Sequence, residues 1–469
     1  MKFKLVTIPG SIVAPQGFSA GGVFCDIKRL GTGKGSDKGQ KRDLAIILSQ
    51  VPSAAAGMFT TNQVCAAPVK VCIARLKRGR AQVIVVNSGN ANACTGKQGL
   101  KDANEMVRLT EKSLGLPHGF ALVGSTGRIG LPLPMNQVRS GILAAARQLG
   151  STTHHAAYAA EAIMTSDTRA KETAFQFELS GKPVCLGGIC KGAGMIQPGM
   201  SHTGGRPPQT SLHATMLCFL TTDAAVEPKA LQTALRQAVA QSFNRITVDG
   251  DMSTNDTVLV LANGLAGNVP IRANALRKAH SFLLSKKQKS SPLNLQTSAN
   301  KHLQDAMCFQ NALNQVCLEL AKMIVRDGEG VSRFVTVRLK GAKTLAQADA
   351  AARAVANSAL VKTSWHGGDP NWGRIIDALG YSPATVIEEK VDIGYSSPGS
   401  SNILWSLKRG QPTAATFKQL CAAVAAKEFD LHIGLNLGKF NALIYAADLT
   451  EEYVEFNKGD VSDPGSLGG

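Results

Sequence analysis

The six residues Ala81-Gln-Val-Ile-Val-Val86 form a nearly continuous β-branched run that leads directly into Asn87-Ser-Gly-Asn-Ala-Asn-Ala-Cys-Thr-Gly96. β-Branched side chains suit a pleated, covered surface, so the run predicts a buried strand. The small polar residues behind it predict a loop that turns backbone N–H groups toward a ligand. The pattern is not isolated. An apolar segment at 43–48 emerges from glycine-rich and charged flanks, and Val123-Gly-Ser-Thr-Gly-Arg-Ile-Gly130 lies between two segments of helical spacing, 101–114 and 135–148. Strand, glycine turn and helix in alternation predict a mixed α/β protein.

Further along, 175–190 and 216–222 are of strand type, 229–242 is a helix of good formers, and 258–262 is an apolar strand. Residues 272–301 mix Ser, Lys, Asn and Gln without a clear period and predict a surface elaboration. Helical 309–324, a strand at 334–339, helical 345–358 and a strand-rich region to Val454 follow.

The formal net charge of +18 raises the question of nucleic acid. Much of the excess falls in the stretches 28–42 and 272–301, where Phe282 is the one aromatic platform, so solvated basic loops are expected and no nucleic-acid partner. The ten cysteines sit mostly in apolar runs without CxxC pairs. They predict buried free thiols in a reducing compartment. No run reaches the roughly 18 apolar residues of a spanning helix, Pro9 and Gly10 interrupt the apolar start, and the expectation is a cytoplasmic protein without membrane attachment. His and carboxylate spacing matches no HExxH or comparable metal motif, so no metal is expected.

For chemistry, the nine histidines accompany no Gly-x-Ser-x-Gly elbow, and His213 has an ordinary reading as a loop residue. A threonine can do without histidine when the peptide bond before it is cut. The freed α-amino group, with an ordinary pKa of about 7.7 to 8.0, then lies beside its own hydroxyl and serves as base. Ala214-Thr215-Met216-Leu217 has a small preceding residue that suits such a cut, but taken in isolation the pair carries no signal and Thr215 reads as the start of a buried strand.

The surrounding segments decide the matter. Phe59-Thr-Thr-Asn62, Asn87-Ser-Gly-Asn-Ala-Asn92, Ser125-Thr-Gly127, Met164-Thr165 with Asp167-Thr168, Lys191-Gly192 with Gly194-Met-Ile196, and Ala214-Thr-Met-Leu217 occur in order. Asp249-Gly-Asp251 with Ser253-Thr-Asn-Asp-Thr257, Asp327-Gly-Glu-Gly330 and Asp369-Pro-Asn-Trp-Gly-Arg374 follow. Between about Gly17 and Asn457 the chain resembles the ornithine acetyltransferase family, whose bifunctional members also make N-acetylglutamate from acetyl-coenzyme A.

The resemblance implies a mixed α/β sandwich, N-terminal-nucleophile-like, cut between Ala214 and Thr215 into interleaved chains of 1–214 and 215–469 that assemble as a heterotetramer. It makes Thr215 the nucleophile and gives the oxyanion hole to the Thr126 hydroxyl and the Gly127 N–H. It places Thr165, Lys191 and Glu329 around the substrate, with Asn457 and Ser462 in the closing segment. The substrates it implies are N-acetylornithine and glutamate, with no cofactor expected and acetyl-coenzyme A left open as a co-substrate. The chain departs from the family pattern in two places. Residues 201–213, including Thr203-Gly-Gly-Arg-Pro-Pro208, intervene before the cut and predict an exposed loop, and Ser462 stands where the family has a threonine. A self-processing aminopeptidase or amidase and an uncleaved basic binding protein are the alternatives to be separated from this reading.

Overall fold

The computed structural model describes residues 4–28, 41–205, 216–284 and 298–458. The first half of the chain supplies β1 (Val6–Thr7), β2 (Phe18–Val23), β3 (Leu44–Phe59), β4 (Arg80–Asn90) and β5 (Ala121–Arg128). The hairpin of β6 (Lys171–Leu179) and β7 (Lys182–Lys191) follows, then β8 (Leu217–Thr222), β9 (Ile246–Thr247) and β10 (Thr257–Ala262). All but β9 join one nine-stranded sheet, in the order β1-β6-β7-β8-β10-β3-β4-β5 with β2 on β3.

The 16-residue β3 gives that sheet its shape. Its first part pairs with β2 and β4, its last six residues pair with β10, and the register shifts between Leu48 and Ser53. The long strand thereby carries the sheet round on itself. Leu217 and Phe219 of β8 and Leu259 and Leu261 of β10 share a core with Val83, Val85 and Leu122 of β4 and β5. A Cβ on Gly124 of β5 would lie 3.1 Å from the Phe219 ring, so the two halves face each other as a sandwich. The alternate residues Cys218, Leu220, Val258 and Val260 point the other way, into a core with the helices Pro228–Gln241 and Ser298–Arg326.

A second, seven-stranded sheet holds β11 (Phe334–Ala342), β12 (Asp392–Ser396), β13 (Leu404–Lys408), β14 (Gln411–Pro412), β15 (Glu428–Gly434) and β16 (Phe440–Ala447). Its order is β14-β13-β12-β15-β11-β16-β9. Val335, Val337 and Leu339 alternate inward against the helices Leu345–Asn357, Ala359–His366 and Trp372–Gly380. Phe334 and Tyr445 of this sheet pack with Leu320 and Ile324 of the long helix Ser298–Arg326, which ties the two sheets together. The architecture is mixed α/β, as the alternation of sequence signals predicts.

Four expectations change. The described part of 272–301 is a helix, Ala273–Leu284, with Leu276 and Ala279 buried, followed by the start of the long helix at Ser298. An apolar pair at i and i+3 is too sparse a signal among Lys, Arg and Asn to reveal a helix before its partner surface is known. The strand-rich C-terminal region contains short helices, and Tyr453 and Val454 belong to one of them, Glu451–Asn457, where the Thr450 side chain accepts a hydrogen bond from the Tyr453 N–H. In the basic stretch 28–42, Lys28 is buried, and Arg42 pairs with Glu161 at 2.7 Å with its guanidinium 3.8 Å over the Tyr158 ring. All ten cysteines are free, but only five are buried: Cys25, Cys65, Cys185 and Cys421 are half-buried and Cys94, in the loop after β4, is exposed. Among the described residues no helix is long and apolar enough to cross a membrane.

Candidate active site

Ser125-Thr-Gly127 is the end of β5, and it lies in parallel register with β4, Ser88 beside Thr126 and Gly89 beside Gly127. Gly127 has φ +126°, and a Cβ there would sit 2.3 Å from the carbonyl carbon of Gly89 and 2.6 Å from the Asn90 nitrogen. Only glycine permits that approach. The Ser125 hydroxyl donates to Asn87 Oδ1 at 2.6 Å, and Asn255 Nδ2 donates to the carbonyl oxygens of Ser125 (2.9 Å) and Ala91 (2.6 Å). Both strand ends are thereby clamped from a third segment. Gly127→Ala should force the two strands apart, a change that costs about 1 to 3 kcal/mol or more. A fall in thermal midpoint accompanied by loss of activity is the expected result, and wild-type values of both would remove the need for glycine here.

Lys191 closes β7, opposite Leu217 of β8. It is buried, and its Nζ donates to Thr126 Oγ1 at 3.2 Å. Burial pushes the Lys191 ammonium below the usual lysine range, against the pull of Asp167. Asp167 organises this corner: Oδ1 accepts from Lys171 Nζ (2.6 Å) and the Gly192 N–H (2.7 Å), and Oδ2 accepts from the Thr165 N–H at 3.0 Å. Lys171 also donates to Asp327, which in turn holds the hydroxyl of Thr168. Burial by itself would raise the Asp167 carboxyl, but the ammonium groups of Lys171 and Lys191 and the Gly192 N–H hold it down at about 2. Burial likewise disfavours the Lys171 ammonium, and Asp167 and Asp327 more than offset it.

Glu329 is carried by the turn after the long helix, with its N–H donating to the Ala193 carbonyl at 3.0 Å. Its carboxyl lies against Gly194, where a Cβ would come within 2.4 Å of it. Asn457 Nδ2 donates to Glu329 Oε2 at 2.9 Å, so the C-terminal helix closes over this side. The Tyr453 hydroxyl of the same helix donates to Asp249 Oδ2 at 3.4 Å, and Asp249 accepts from the N–H groups of Met195 (2.6 Å) and Ile196 (2.8 Å).

Of the sequence-predicted site residues, Thr126, Gly127, Thr165, Lys191, Glu329 and Asn457 therefore lie along one connected set of contacts. Ala214, Thr215 and Ser462 lie outside the described residues, as do His213 and the part of the 201–213 segment from 206 onward. Its described start is tied down, with Ser201 bridged to Phe59 through hydrogen bonds of 2.7 and 2.8 Å, while His202 and Thr203 are exposed. Met216, the first described residue after Thr215, donates its N–H to Asp256 Oδ1 at 2.6 Å. Asp256 is buried and its Oδ2 has no partner among the described residues. Burial raises its carboxyl well above the usual range against the opposing Met216 N–H and Lys191.

Sequence reasoning gave no role to Asp167, Lys171, Asp256 or Asp327. Three of these stand inside the quoted blocks, but a block gives residue types and not their contacts. Lys171 stands outside them all. Among the described residues no group of His, Cys, Asp and Glu could hold a metal ion.

A strand end that carries a hydroxyl and a glycine, a buried ammonium on that hydroxyl and a carboxylate whose charge acts on the ammonium form a polar cluster of the kind found in enzyme sites. The ArgJ family model matches residues 22–459. The arginine biosynthesis bifunctional protein ArgJ of Symbiobacterium thermophilum is 44% identical over 450 residues, covering 96% of this chain and 98% of its own. The glutamate N-acetyltransferase of Methanocaldococcus jannaschii is 40% identical over 455 residues, covering 96% and 98%. Among solved structures, the ornithine acetyltransferase of Mycobacterium tuberculosis complexed with ornithine is 33% identical, with a TM-score of 0.38, over 42% of this chain and 100% of that one. The chain belongs to the ArgJ family.

Proposed function

We propose that this enzyme transfers the acetyl group of N-acetylornithine to glutamate, in arginine biosynthesis, through an acetyl-threonine formed on Thr215. Cleavage between Ala214 and Thr215 frees the α-amino group that acts as base. The Thr215 oxygen then attacks the acetyl carbonyl, its proton passes to that amine, and the oxyanion accepts hydrogen bonds from the Thr126 hydroxyl and the Gly127 N–H. Collapse expels ornithine with the proton. Glutamate's amine next attacks the acetyl-threonine and leaves as N-acetylglutamate, restoring the hydroxyl. Thr165, Lys191 and Glu329 hold the two charged ends of the substrate, with Asn457 and Ser462 on the closing side.

The observation that supports this reading is the contact of Lys191 with Thr126 beside the closely packed Gly127, a hydroxyl and a lysine cation together in one buried place. Family membership, with relatives named for glutamate N-acetyltransferase and bifunctional activity, supports it. The threonine carries the acetyl group, so the reaction takes no cofactor, and acetyl-coenzyme A enters as an alternative donor to the same hydroxyl. The mature form is a heterotetramer of two 1–214 and two 215–469 chains in the cytoplasm.

Incubation with acetyl-labelled N-acetylornithine should label the 215–469 chain, and added glutamate should remove the label as N-acetylglutamate. Release as free acetate at the same rate with or without glutamate would instead identify a hydrolase. The same assay with acetyl-coenzyme A as donor measures the second activity.

A further inference from the structure

Lysine has three N–H donors and no acceptor, so in the Lys191–Thr126 contact the threonine oxygen accepts. The hydroxyl hydrogen of Thr126 must then point away from Lys191. Among the described residues Thr126 Oγ1 has no other hydrogen-bond partner, and both residues are buried. Thr126 follows Ser125, whose carbonyl is clamped by Asn255, and precedes Gly127, whose backbone is pressed against Gly89. The backbone on both sides of Thr126 is therefore held in place.

We propose that Lys191 is a positioning residue of the oxyanion hole: by donating to Thr126 Oγ1 it fixes the hydroxyl as a donor toward the reacting carbonyl and polarises it. A threonine hydroxyl left alone rotates freely and donates or accepts with equal ease. An ammonium at 3.2 Å removes that choice, and its charge strengthens the donated bond as negative charge develops on the substrate oxygen. The buried Asp167, braced by Lys171 and the Gly192 N–H, keeps a negative charge near Lys191 and so holds the ammonium in this corner. Lys191 then contributes to the transition state in addition to any hold on a substrate carboxylate, for which two of its donors remain.

This inference rests on the acetyl-transfer reading, and the experiment separates the two. Thr126→Val, Lys191→Met and the double variant are prepared and checked for native circular dichroism and thermal midpoint. kcat and KM for N-acetylornithine are then measured with glutamate saturating. Thr126→Val should lower kcat about 100-fold, the usual scale for one oxyanion donor, and Lys191→Met about 10-fold or more. The double variant should be close to Thr126→Val alone, because Lys191 acts through the hydroxyl that is already gone. Multiplying losses, or a Lys191→Met enzyme with raised KM and unchanged kcat, overturns the proposal and leaves Lys191 as a substrate anchor only. Should Lys191→Met not fold, Lys191→Gln, which keeps a neutral donor, takes its place with an intermediate loss of kcat expected, while an unchanged kcat overturns the proposal. Failure of the underlying reading looks different: the wild-type enzyme itself would form no acetylated 215–469 chain.

Discussion

Thr215→Ala should leave the 469-residue chain in one piece and without acetyl transfer, the largest effect expected of any single change. Removing the hydroxyl deletes the group that attacks the Ala214 carbonyl in self-cleavage and the acetyl carbonyl in catalysis. The wild type should give chains of 1–214 and 215–469, and N-terminal sequencing of the second should begin at Thr215. A different new amino terminus, or a cleaved Thr215→Ala protein, contradicts the assignment. Thr215→Ser, which keeps a hydroxyl, should cleave and should retain part of the activity.

Lys171→Met should be the most damaging change away from the reacting atoms. Lys171 lies buried between Asp167 and Asp327, and its loss leaves both carboxylates without their shared counter-ion. Breaking a buried pair in this way costs about 3 to 5 kcal/mol. The sign of the pH effect follows from the depressed Asp167 carboxyl, which falls from an ordinary 3.8 to about 2 on folding. Its stabilisation is present above the unfolded value and is lost as pH falls through about 2, an effect of about 2 kcal/mol. Wild-type stability should therefore drop between pH 4 and 2, and Lys171→Met should begin lower and lose less over that window. Chemical denaturation at a series of pH values measures both quantities. A variant of wild-type stability at pH 7 would show that the triad contributes little.

The C-terminal helix offers a contrast in how far residue types reach. Asn457 is named by its place in the chain, and Glu329 by its block, yet nothing in either segment indicates that the two side chains meet at 2.9 Å. The helix itself goes unread because Glu451–Asn457 is short and contains no buried residue, so no apolar stripe marks it. Similarly, Ala273–Leu284 shows its helical face only once Leu276 has a core to enter.

What the sequence determined by itself is local. β-Branched runs such as Ala81 to Val86 become covered strands because their side chains suit a pleated surface, and glycines such as Gly127 stand where two backbones must touch. The order of strand, turn and helix sets the mixed α/β class, and the ordered blocks from Phe59 to Arg374 carry the family resemblance that the Ala214-Thr215 pair alone does not. The tertiary structure decided which charges meet. Lys191 reaches a hydroxyl 65 positions away, and Lys171 reaches Asp327 across 156, because β3 bends the first sheet into a sandwich and the long helix brings its C-terminal end to the same corner. Backbone preference is set by neighbours a few residues away, whereas the partner of a buried charge is set by strand register and layer packing over the whole chain.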